Sequence, residues 1–149
     1  MTKPVLIAIL CGGFVAGTLD IGAAALISLA DPLVILRAVA SGALGKDAFA
    51  GGASVSALGM ILQWAMSLII AAIYVTAATN IPNLSRRWIG AGLSYGAVVF
   101  FVMNYVVVPL SQAPFKTNTT LRSFLLNLLA MLLFGLIIAF FARRLRSAT

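Results

Sequence analysis

The chain has no histidine, one cysteine and three acidic residues, and only 9% of its 149 residues are charged. Without histidine the commonest general base and the commonest metal ligand are both missing. Three aspartates and a lone cysteine form neither a catalytic dyad nor a metal cage at recognisable spacing, and no Gly-rich phosphate loop follows a strand. These absences point away from an enzyme and predict no metal or cofactor. Cys11 stands alone, so no internal disulfide forms. A soluble domain is excluded by how little sequence lies outside the apolar stretches.

What is present is hydrophobic sequence, 62% of the chain, in four long runs. A bilayer crossing needs roughly 20 apolar residues. The runs predict helices over 5–29, 53–79, 88–110 and 123–142 in one all-α, four-helix transmembrane domain covering 1–149. Asp31 is a plausible N-cap with Pro32 in the first turn, so 32–44 is read as a short interfacial or re-entrant helix between the first two crossings. Asn80-Ile81-Pro82-Asn83 followed by Arg86-Arg87 reads as a tight basic turn. A cleaved signal peptide competes for the first run, since the apolar core before Gly12-Gly13 is short and Gly22 to Ala25 are small. Apolar character resumes beyond Asp20, which favours a retained membrane helix.

The net charge of +7 comes from Lys and Arg residues that flank the apolar runs. They do not cluster on a polar face with aromatics, which argues against nucleic acid and for lipid headgroups. Four crossings put both ends on one side, with Lys3, Arg86, Arg87, Arg143, Arg144 and Arg146, against Arg37, Lys46, Lys116 and Arg122 on the other. The positive-inside rule then places the termini in the cytoplasm, and Arg143, Arg144 and Arg146 are expected to meet anionic lipid. The Ala, Gly and Arg-rich composition reads as bacterial. The sequon at Asn118 is accordingly taken as chance.

Asp20 is the only charged residue inside any of the four runs. An ionisable group in a membrane segment is a functional-site hypothesis by default. A central Asp costs roughly 3 kcal/mol to insert, while each Leu, Ile, Val or Phe contributes about 0.3 to 0.6 in its favour, so the helix can carry it. At 1.5 Å per residue, Asp20 and Gln63 lie roughly 4.5 Å from the midplane, Asn104 roughly 7.5 Å and Asn127 roughly 8 Å, all toward the outer side. The four therefore form one candidate polar layer for a ligand or proton, with Thr18 and Arg37 nearby. Asp20 is either a protonated acid bonded to Gln63 or Asn104, or a carboxylate paired with Arg37. The amides have a second reading as hydrogen-bonding glue between helices.

Faces sharpen the layer on two helices. Gly13, Gly17, Asp20 and Ala24 share one face of the first, and Ser56, Gly59, Gln63, Ser67, Ile70 and Tyr74 form a stripe on the second. Gly13 with Gly17, Gly59, and Gly92 with Gly96 are packing positions, and the Gly-rich face suits a homodimer. Two functional readings follow: a small-solute, cation or proton transporter or channel component centred on Asp20, and a non-transporting accessory protein whose polar layer only specifies packing.

Thr18-Leu19-Asp20, Arg37-Ala38-Val39-Ala40-Ser41-Gly42, Met103-Asn104-Tyr105-Val106-Val107-Val108-Pro109-Leu110-Ser111 and Leu133-Phe134-Gly135 together resemble a family of small bacterial inner-membrane proteins similar to the YagU-like group. The resemblance implies a four-helix inner-membrane fold and assigns no chemistry. That group carries His in its second and fourth helices, where this chain has Gln63 and the 127–131 region, so no metal or proton-relay role carries over.

Overall fold

Residues 2–114 and 120–147 are described in the computed structural model, with side chains through Arg144. Lys116, the Asn118 sequon and the Arg146 side chain lie outside the described residues. Helix α1 covers Lys3–Ser28, α2 Pro32–Leu44, α3 Ala53–Asn80, α4 Pro82–Arg86, α5 Trp88–Val102, α6 Val108–Leu110 and α7 Leu121–Ser147. A 3-10 turn over Gly45–Ala50 follows α2, and a π-turn over Met103–Val107 joins α5 to α6. Among the described residues there is no strand. Four helices, Lys3–Ser28, Ala53–Asn80, Trp88–Leu110 and Leu121–Arg144, are long and apolar enough to cross a bilayer, and they pack together as one bundle. The protein is an integral membrane protein of four spans with a short fifth helix between the first two.

Local chemistry sets the boundaries. Helix α1 stops at Leu29, which takes a left-handed conformation (φ 52°) unusual for a branched side chain. Asp31 then caps α2 by accepting from the Leu33 N–H at 2.8 Å, and Pro32 fills the first turn, where its missing N–H costs nothing. Gly45, at φ +69°, ends α2. Where a basic turn was expected, the single helical turn α4 forms. The fourth span extends past 142 because Arg143 and Arg144 stay helical, their guanidinium groups 5.4 Å from the Trp88 ring and 4.9 Å from the Phe140 ring. Inside the third span the π-turn has a local cause. Pro109 offers no N–H to the carbonyl ladder and its ring crowds the preceding turn, and the Val108 N–H reaches back five residues to the Met103 carbonyl.

Small residues decide which helices touch, because lipid provides no hydrophobic drive between spans. A Cβ on Gly13 would sit 2.7 Å from the Leu68 side chain, and one on Gly17 would collide with Ser67, so α1 lies hard against α3. Gly92 and Gly96 face Gly135, Leu136 and the Met131 carbonyl, which brings α5 onto α7 backbone to backbone. Gly59 meets the backbone of Leu36, seating α2 on α3. The resulting order is α3, α1, α7, α5, with α2 outside α3. Helices α3 and α5 close the ring mainly through side chains: the Tyr95 hydroxyl donates to the Ile70 carbonyl at 2.7 Å, and the Tyr74 and Tyr95 rings lie 5.0 Å apart.

Packing differs between the two ends. The end where α1 begins and α7 finishes, here the base, holds the core of Ala8, Ile9, Ala71, Tyr74, Val75, Ala78, Ile138, Ala139 and Ala142. The opposite end, the crown, carries α2, and there α3 and α5 leave a hollow between them.

Candidate functional site in the crown

The hollow is a cavity of about 580 Å³. All four spans and α2 contribute to it: Ala24 and Ser28 from α1, Ala38, Val39 and Gly42 from α2, Leu62, Gln63 and Met66 from α3, Met103 and Val107 from the π-turn of the third span, and Ser123 and Asn127 from α7. Its lining is largely aliphatic and thioether, with polar groups supplied by Gln63, Asn127 and the serines 28, 111 and 123. Among the described residues no Asp, Glu, Lys or Arg lines it. This size and mixture fit a small-molecule site.

Asp20 stands behind one wall. The Gln63 side-chain N–H donates to Asp20 Oδ2 at 2.9 Å, with a longer contact from the same nitrogen to the Gly17 carbonyl at 3.5 Å. Ser67, one turn on, donates to the Gln63 carbonyl at 2.8 Å. The glycines make this possible: with no side chain at Gly17, α3 comes close enough for Gln63 to span the seam and reach the next turn of α1. Gln63 thus joins the only carboxyl in the spans to the cavity surface. Its amide nitrogen is engaged on the Asp20 side, and among the described residues its Oε1 accepts no hydrogen bond.

The sequence-derived candidates separate into those gathered here and those elsewhere. Asn127 lines the same cavity, with its N–H group donating to the Ser123 carbonyl at 2.9 Å and the Ser123 hydroxyl at 3.2 Å. Asn104 is half-buried in the π-turn and donates to the Phe100 carbonyl at 2.8 Å; it follows the lining residue Met103 and is not itself a wall residue. Thr18 is on the outer seam between α1 and α3, accepting from the Trp64 indole N–H at 3.1 Å beside the Phe14 ring. Arg37 lies about 160° round α2 from the cavity-lining face at 100° per residue. It makes no ion pair with Asp20, and its buried Nε has no partner among the described residues. Of the three partners considered for Asp20, namely Gln63, Asn104 and Arg37, Gln63 is the one that bonds to it. No cluster of metal-binding side chains exists among the described residues.

The stripe from Ser56 to Tyr74 does face inward, yet its members do different work. Ser56 donates to the Leu33 carbonyl at 3.3 Å and fastens α2, while Tyr74 belongs to the base core. Gly13 and Gly17 are occupied by α3 of the same chain, so a second copy would need another face. Sequence reading missed Ser28, Met66, Met103, Ser111 and Ser123. The three serines had one advance signal, a small polar residue near the end of an apolar run, and the two methionines had none. No protein-family model, curated protein or solved structure matches this chain.

Proposed function

We propose that the protein is a component for small-solute transport in a bacterial inner membrane, with both termini cytoplasmic, a solute site in the crown cavity and Asp20 as its proton-responsive group. The observation that carries this reading is that one amide, Gln63, is held by the intramembrane carboxyl and also walls the cavity. An ionised Asp20 takes the Gln63 N–H and leaves Oε1 for the solute. A protonated Asp20 has an O–H to give, so the amide turns, its oxygen accepts from Asp20 and its N–H₂ faces the cavity. Proton binding thereby reverses the hydrogen-bonding sense of the wall. Among the described residues no charged side chain bonds to the pair: Arg37 is on the far face of α2 and Arg122 is exposed at the start of α7. Catalysis has no part in this reading, and anionic lipid at Arg143 and Arg144 is a contact of the base.

The test is proton movement into vesicles reconstituted with the protein and loaded with a pH-sensitive dye, with 1-octanol and octanamide added in turn across a pH gradient. Wild type should admit protons on addition of at least one of them, and Asp20→Asn should not, while keeping its helicity and stability. Identical behaviour of the two proteins would favour the accessory reading. That alternative draws on Asn104 and Asn127, whose N–H groups serve carbonyls four residues back in their own helices.

A further inference from the structure

We infer that the crown cavity binds an uncharged amphiphile: an apolar body carrying one O–H or N–H donor, received by Oε1 of Gln63. This rests on the reading above for the place of the site and names the ligand it takes. Three features select the class. The walls of Ala24, Val39, Leu62, Met66, Met103 and Val107 favour an apolar body, and the two methionines adapt to its shape. Among the described residues no cation or anion lines the cavity, so an ammonium or carboxylate ligand would meet no counter-charge from them. The Gln63 nitrogen is committed to Asp20 and Gly17, which orients the amide and leaves an acceptor unused. An acceptor inside an apolar chamber discriminates against a ligand of the same shape that lacks a donor.

The seryl hydroxyls at 28, 111 and 123 provide further polar positions on the wall, and those of Ser111 and Ser123 lie beside α6 and at the start of α7. The small side chains of Ala38 and Ala43 with Gly42 keep the α2 wall thin. A bulky residue at position 38 would narrow the chamber from the α2 side.

The experiment is photolabelling of the full chain in lipid vesicles with a diazirine-bearing octanol, followed by peptide mass spectrometry. Label is expected on lining residues such as Leu62, Met66 and Met103. Competition by 1-octanol should be about five-fold more effective than by heptyl methyl ether, which has the same length and no donor, given about 1 kcal/mol for the hydrogen bond. Octanoate and octyltrimethylammonium should compete no better than the ether. Ala38→Trp should weaken the specific label, and Gln63→Leu should erase the preference for octanol. Label spread evenly over lipid-facing residues such as Ile69, Ile73 and Leu129, or equal competition by ether or by the charged analogues, would overturn the inference. The wild-type competition series decides this even where a variant fails to fold. Specific labelling without proton movement in the vesicle assay would leave the ligand class standing and remove the transport reading.

Discussion

Replacing Gly59 with Ala tests whether the seat of α2 on α3 is as close as the backbone geometry indicates. A Cβ at that position would overlap the Leu36 carbonyl oxygen and lie 2.6 Å from its carbon, where ordinary contact begins at 3.4 Å. The opposing atoms are helix backbone and cannot swing aside, so α2 must move outward by about 1 Å. Overpacking of this kind costs about 1 to 3 kcal/mol. The displacement also stretches the Ser56 to Leu33 hydrogen bond, already 3.3 Å, and its loss adds about 0.6 kcal/mol. Gly59→Ala should therefore destabilise the protein by about 2 to 3.5 kcal/mol. Gly22, on the other hand, has nothing within 4 Å of its notional Cβ. Gly22→Ala should be neutral or stabilise by up to about 1 kcal/mol, the helix-propensity difference. Unfolding by sodium dodecyl sulfate in mixed micelles, followed by far-UV circular dichroism, measures both. Equal stabilities for the two variants would refute the argument, and an intact α2 seat in Gly59→Ala would refute it outright.

A double-mutant cycle on Asp20→Ala and Gln63→Leu, each of which removes the bond, should give a coupling of about 0.6 to 1.7 kcal/mol in the same unfolding assay, the range for hydrogen bonds between membrane helices. Zero coupling would mean the 2.9 Å contact contributes nothing. In a Cys11→Ser background, a single cysteine placed at Asn83 or at Gln112 should be labelled by an impermeant maleimide from opposite sides of intact cells, with Gln112 accessible from outside; reversed labelling would invert the proposed topology. Arg143→Ala should reduce co-purifying anionic phospholipid several-fold, with a smaller effect for Trp88→Phe, which keeps a ring under the guanidinium. Unchanged lipid content in native mass spectrometry would remove the basic end of α7 as a lipid contact.

Much of the fold was legible before any coordinates. The spans follow from apolar length, and the observed helices begin and end within a few residues of the expected ones. Asp31-Pro32 announced the start of α2, and the capping bond is there. Glycine spacing marked the close approaches at 13, 17, 59, 92 and 96, because only glycine lets two helix backbones meet. Less legible was which partner each glycine meets: Gly59 accepts the short helix and not another span, and Gly135 stood out only as part of a resemblance. The π-turn was also unseen. Pro109 announces a disturbance in the third span, yet whether the ladder breaks, kinks or widens depends on what the neighbouring helices allow.

The sequence by itself determined that this chain crosses a membrane four times, where each crossing caps and turns, and that Asp20 and Gln63 could share a height. Those properties depend on local chemistry and on rise per residue, which a linear string records. Only the tertiary structure decided that the crown holds a cavity, that Gln63 and not Arg37 answers Asp20, and that Asn127 shares a cavity wall from which Asn104 is left out. Such outcomes depend on rotation of whole helices about their axes and on the spacing of α3 and α5, which are set by contacts among all the spans at once.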